Sequence, residues 1–217
     1  MNIPSLFPTS YEASRIRFRE NLSIIQEKWA NAELHHHALA YHPDLTVDWI
    51  QADATKHPEK LMILSIGEHG AEGIVGSAMM QLFIEEYLPH LNPENTGILL
   101  VHAINPWGMK SMRRVNPNNV DLNRNFLADE KAYVSSKNEG YALINAFLNP
   151  QESVKGRFIA NLVLFSKLVK NMIAPGEAAI RAGTLMGQFE FPQGLYFGGQ
   201  QLEEETQLMM SLYRKTI

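Results

Sequence analysis

The chain contains no cysteine. That excludes disulfides, thiolate metal sites and a cysteine nucleophile, and it fits a cytoplasmic setting. There is no surplus of positive charge: 19 Lys and Arg stand against 23 Asp and Glu, a net charge of −4. A nucleic-acid surface needs a basic face, so no nucleic-acid partner is expected. No stretch reaches the ~18 uninterrupted apolar residues of a membrane span. Met1 to Ser10 lack a basic region followed by an apolar run, so no signal peptide is expected. A G-x-S-x-G elbow is also missing, which weighs against a serine hydrolase. What remains is an ordinary globular composition, 45% hydrophobic and 19% charged over 217 residues. It fits one domain, residues 1–217, with enough apolar material for a core.

Hydrophobic period then organises the chain. Residues 11–33 mix charged and apolar positions at helical spacing and read as a helix. Leu34–Tyr41 and Leu45–Ile50 flank His-Pro-Asp and read as a β-hairpin. Leu61–Ile66 and Gly97–Ala103 are short continuous apolar runs, as buried strands require. Between them Ala71, Ile74, Val75, Ala78, Met79, Leu82 and Phe83 recur at three and four, predicting a helix with one apolar face. Strand, helix, strand implies a βαβ unit with parallel strands. Residues 104–127 show neither period and read as a long polar loop, a length that in a compact domain points to function or disorder. Residues 138–148, 153–174 and 202–215 read as helices, with Phe158, Leu162, Phe165, Val169 and Met172 as the buried stripe of the second. Residues 189–199 form a Gly- and aromatic-rich loop.

Two clusters carry chemistry. His69-Gly70-Ala71-Glu72 lies where the first buried strand ends and its helix begins, the end of an α/β sheet at which ligands bind. Imidazole and carboxylate three residues apart on a first turn can face one metal ion. The same spacing also suits a loop histidine followed by a glutamate that favours the positive end of the helix dipole. The second cluster is Val120-Asp121-Leu122-Asn123-Arg124-Asn125-Phe126, preceded in the same loop by Arg113 and Arg114. A guanidinium fork beside an asparagine donor matches a carboxylate; equally, such residues can stitch a solvated loop together. His35-His36-His37 lie on a strand, where His36 faces away from its neighbours, so a structural role is expected. His102 ends the second buried strand and is expected to be a packed histidine. Glu203, Glu204 and Glu205 are expected to be a solvated acidic run on a surface helix.

Together, SIGEHGAEGIVGS and NPWGMKSMRRVNPNNVDLNRNF resemble the zinc carboxypeptidase superfamily. The likeness is greatest to a little-characterised bacterial branch of peptidase-like proteins with an SGxHGxEGxxGS-type first motif. The stretch GQFEFPQGLYFGG resembles that branch too, and the likeness spans roughly residues 30 to 200. It implies an α/β fold: three α/β/α layers around a mixed, largely parallel sheet. It implies zinc as cofactor, with His69 and Glu72 as two metal ligands. It implies that Asn123 and Arg124 hold the terminal carboxylate of a small peptide or acylated amino acid. Arg114 falls at the position of an arginine that polarises the scissile carbonyl, with Arg113 the other candidate and a further substrate-binding cation.

The sequence also departs from the superfamily pattern. A third ligand, a histidine, and a later general-base glutamate are expected beyond this region, yet none of the eight histidines follows His102. The expectation is a domain lacking its last strands, with weak zinc binding and no turnover by itself. The alternative is a relative that binds a carboxylate without cleaving it. A missing neighbouring strand would leave Leu61–Ile66 as an open sheet edge, prone to self-association.

Overall fold

The computed structural model describes residues 3–127, 137–149, 166, 181 and 183–216. Their contacts divide into two compact units, one of Met1–Pro117 with Glu203–Ile217, the other of Asn118–Leu202. The expected helix over 153–174 lies outside the described residues, except for Ser166.

The first unit is built on a four-stranded mixed sheet. Strands β1 (Glu33–Leu39), β2 (His42–Ala52), β3 (Lys60–Ser65) and β4 (Thr96–His102) run in the order β1-β2-β4-β3. The parallel pairing is β3 with β4; β1–β2 and β2–β4 are antiparallel. Every residue of β4 is buried, as its uninterrupted apolar run requires. Among the described strands β3 is an edge, paired on one side by β4.

Helices cover both faces, which makes three layers. On one face lie α1 (Tyr11–Gln26) and α2 (Gly73–Leu82), joined to each other by Ser14–Ser77 (2.7 Å) and Asn21–Gln81 (2.8 Å) hydrogen bonds. Phe18, Ile25, Trp29, Met80 and Ile84 pack there with Ile50, Ile98 and Leu100. The C-terminal helix Glu204–Thr216 takes the other face, where its Tyr213 hydroxyl stands 3.5 Å from the Ser65 hydroxyl. Among the described residues no helix is long and apolar enough to cross a membrane.

Four expectations need correction. The first helix stops at Gln26 rather than residue 33. Beyond it the chain turns to bury Trp29 completely, with its indole N–H donating to the Thr96 carbonyl at 2.8 Å. Helix α2 buries Gly73, Ser77, Ala78, Met80 and Gln81, while Val75 and Met79 stay exposed. The helix is apolar on most sides, so period alone could not fix its inner face. The polar loop contains a helix, α3 (Pro106–Ser111), opened by Asn105, whose side chain accepts from the Gly108 N–H. Proline at a first helical position after an asparagine cap is favoured because its missing N–H is not needed there.

The acidic run is not solvated. Glu205 is fully buried and accepts from the Tyr41 hydroxyl at 2.8 Å. Burial raises the Glu205 carboxyl above the ordinary carboxylate range, and burial beside that carboxylate raises the Tyr41 phenol. Glu204 accepts from the Ala40 N–H and meets His37 Nε2 at 2.7 Å, and Glu203 accepts from Asn116. The run therefore fastens the start of the C-terminal helix to the β1–β2 turn. His35 stacks on Trp49 across the sheet, while His37 reaches Glu204 of the C-terminal helix.

Candidate metal and carboxylate sites

Within the first unit the His-Gly-Ala-Glu segment leaves the carboxyl end of β3 through Gly67, whose φ of 68° suits glycine. The main chain continues the sheet's bonding past the strands: Ile104 N–H donates to the Ile66 carbonyl, and Asn105 N–H to that of Gly67 at 2.8 Å. The turn is then tied to the segment after α3. Gly70 N–H donates to the Arg114 carbonyl at 3.4 Å, and Ala71 N–H to the Arg113 carbonyl at 3.0 Å. Asn105 closes this assembly. It is fully buried, caps α3 through its side-chain oxygen, and donates from its amide to the Arg114 carbonyl. Gly70 and Gly108 let the two backbones touch: a Cβ on Gly70 would stand 2.0 Å from the Gly108 carbonyl carbon.

This packing brings three of the sequence-expected residues together. His69 Nδ1 stands 3.2 Å from Glu72 Oε1, and an Arg114 guanidinium nitrogen stands 3.6 Å from the same oxygen. The imidazole is 12% exposed, the Glu72 carboxylate 69% and Arg114 41%. The pair is thus half anchored and half open to water, so its ion pairing contributes little to stability. Arg113 enters through its backbone carbonyl, and its side chain is exposed.

The separation of the two side chains is that of a direct hydrogen bond, and it also matches two donors on one zinc ion. Nitrogen and oxygen donors at ~2.0–2.2 Å from a tetrahedral zinc lie roughly 3.3 Å from each other, close to the observed 3.2 Å. Both donor types are normal for that ion. Among the described residues, no third His, Cys, Asp or Glu completes a group with this pair.

Asn123 and Arg124 belong to the second unit, where Leu122–Arg124 form one short 3-10 turn. Asn123 is exposed and Arg124 half-buried. They line a cavity of about 610 Å³ with Phe126, Leu127, Met186 and Phe189. Among the described residues, the buried Arg124 Nε has no hydrogen-bond partner.

The Gly- and aromatic-rich segment explains how Arg124 is held. The Gln188 side chain organises it, accepting from the Glu190 and Phe191 N–H groups and donating to the Phe191 and Leu195 carbonyls. Gly187, at φ 72°, lies against the arginine stem, where an added Cβ would stand 2.8 Å from Arg124 Cδ. Gly198 leaves room for the Phe189 ring beside the Arg124 carbonyl. Sequence reasoning missed Asn105, Gly70 and Gly187 as positioning residues. The Asn-Pro pair at 105–106 was the one local signal for the first. Gly187→Ala is expected to cost about 1–2 kcal/mol, because an L-residue is strained at that φ. Urea unfolding measures this, and an unchanged midpoint would show that the cradle is not held as described.

Comparison with known proteins adds three findings. The solved structure of thrombin activatable fibrinolysis inhibitor (TAFI) is similar over 56% of this chain and 35% of that one, at 18% identity and a TM-score of 0.39. No curated protein sequence matches the chain. A family model described as "Protein of unknown function (DUF2817)" matches residues 7–217, and the chain belongs to that family.

Proposed function

We propose that this protein is a zinc-dependent, carboxypeptidase-like hydrolase acting on a peptide or acylated amino acid with a free carboxylate. The reading rests on one observation above all. His69 Nδ1 stands 3.2 Å from Glu72 Oε1 at the carboxyl end of a parallel strand, with the Arg114 guanidinium beside them, and that separation supports reading them as two zinc ligands. The motif resemblance points the same way.

His69 and Glu72 would hold the ion. Bound there, zinc would polarise a carbonyl and lower the pKa of a water molecule. Arg114 would stabilise the negative charge that develops on the carbonyl oxygen, a role that preorganised cations fill in other hydrolases. Asn123 and Arg124 would hold the substrate carboxylate through paired N–H donors, and Arg113 would add positive charge for an anionic substrate.

A second reading, a module that binds a carboxylate ligand without cleaving it, is favoured by the two-member donor set among the described residues. Zinc titration separates the two, followed at the His69 imidazole by NMR. The hydrolase reading expects a saturable shift of that ring which Glu72→Ala removes. The affinity should be weak, since zinc sites usually supply three or four protein ligands. An imidazole that ignores zinc would leave only the second reading.

A further inference from the structure

Strand β3 leaves one side of its main chain unused. Lys60 and Ile66 donate their N–H groups toward β4, to the Asn95 and Val101 carbonyls. Main-chain groups two residues apart along a strand point the same way. Leu61, Ile63 and Ser65 therefore turn their N–H and C=O groups outward, at the edge of the sheet. Among the described residues nothing bonds to those outward groups. The edge is also unguarded. From Leu61 to Ser65 it carries neither a charge nor a proline, two of the devices that keep natural edges from pairing. Leu61 is 37% exposed, and Met62, Ile63 and Leu64 are half-buried, whereas every residue of the neighbouring β4 is buried.

At its amino end β3 borders a cavity of about 400 Å³, within the range of ordinary ligand pockets. Leu61, Met62 and Leu91 give it apolar walls, and Lys60 and His90 also line it. Among the described residues neither Lys60 nor His90 makes a side-chain hydrogen bond or ion pair, and no Asp or Glu lines the cavity. An unpaired ammonium beside apolar walls matches a carboxylate on an otherwise apolar partner.

We infer that the β3 edge is a docking surface for an extended, largely apolar peptide strand that carries a carboxylate where it passes Lys60 and His90. The outward groups of Leu61, Ile63 and Ser65 extend the sheet into the added strand, as in other proteins that capture peptides by strand addition. The carboxylate enters the cavity and pairs with Lys60. The His69–Glu72 turn follows the other end of β3, so this surface needs neither zinc nor catalysis.

Amide exchange of the full chain, read residue by residue by NMR, tests it with short peptides of alternating valine and threonine. One probe has glutamate as its first residue and another as its last, and a matched pair has lysine there instead. Without a probe the Leu61, Ile63 and Ser65 amides are expected to exchange fast, and those of Met62 and Leu64 slowly. At about 30 times its dissociation constant, a glutamate probe should slow the three outward amides about 30-fold. The lysine probes should bind about 3- to 10-fold more weakly. Lys60 is exposed, so Lys60→Glu keeps the fold, and it should reverse that preference.

No slowing by any probe would overturn the inference. Equal affinity for glutamate and lysine probes would overturn a carboxylate-bearing partner. Outward amides already protected without a probe would mean that the edge is covered. Sedimentation would then assign the cover to a second copy, in a dimer, or to this chain itself, in a monomer, and either result overturns the inference.

Discussion

Gly70→Ala is expected to destabilise the protein by at least ~3 kcal/mol. The new methyl group would stand 2.0 Å from the Gly108 carbonyl carbon and 2.2 Å from the Met109 nitrogen. Both are main-chain atoms, so no rotamer change can relieve the clash and one backbone must retreat. The hydrogen bonds from Gly70 and Ala71 to the Arg114 and Arg113 carbonyls would be lost with it. For a chain of this size the melting temperature should fall by roughly 6–12 °C. Gly97→Ala serves as a control, because its nearest neighbour, the Ala52 carbonyl oxygen, is 3.2 Å away. Denaturant unfolding of both variants decides the matter. A Gly70→Ala protein within ~1 kcal/mol of the parent, scarcely worse than the control, would mean that the two backbones are not in contact.

The second large effect is a loss of stability in mild acid. His102 is 1% exposed, with Nε2 2.6 Å from the Ser14 hydroxyl and its ring stacked on Phe18. Burial lowers its pKa from 6.5 to about 4, outweighing the attraction of Asp48, with Arg15 and Arg17 pushing the same way as burial. The unfolded chain takes up this proton near pH 6.5 and the folded chain only near 4. The folded state therefore keeps its full advantage above about pH 6.5. It loses up to about 3 kcal/mol as the pH falls from there toward 4. Glu205 acts in the opposite sense. Its raised pKa lets the folded state bind a proton before the unfolded one does, so its penalty eases in acid. Comparing the parent with His102→Gln isolates the histidine. The stability difference between them should shrink by about 3 kcal/mol between pH 7.5 and pH 4.5. A gap that stays constant across that range would show that His102 titrates normally in the folded protein.

Most of the first unit's sheet was legible in the sequence, because its signals are local. Leu61–Ile66 and Gly97–Ala103 are short, apolar and bounded by breakers, and the histidine-rich hairpin is two short runs separated by His-Pro-Asp. The errors came where tertiary contacts outweigh local pattern. Nothing between Glu27 and Glu33 interrupts a helical reading, yet Trp29 leaves the helix to fill the core and meet Thr96. Glu203–Glu205 look solvated by composition, yet partners more than eighty residues distant in sequence hold all three. The site shows the same division. His69 and Glu72 could be picked out from spacing and from their place after a strand. The residues that hold them, Asn105 and Gly70, act through main-chain bonds and close backbone approach, which leave almost no pattern in a sequence. Gly187 beside Arg124 is similar: a glycine more than sixty positions away gives no sign of which side chain it shelters.

Two of the fastenings between the turn at Gly70–Glu72 and the Arg113–Arg114 segment are main-chain N–H to C=O bonds. Those groups are the same whatever side chains the two arginine positions bear. Exchanging Arg114 therefore removes its ion pair with Glu72 but leaves these two main-chain fastenings, so the charge beside the His69–Glu72 pair can vary while the turn stays tied. In engineering terms the cation at position 114 is a replaceable fitting on a fixed mount. A series at that position, from arginine through lysine and glutamine to alanine, would vary local charge at nearly constant geometry.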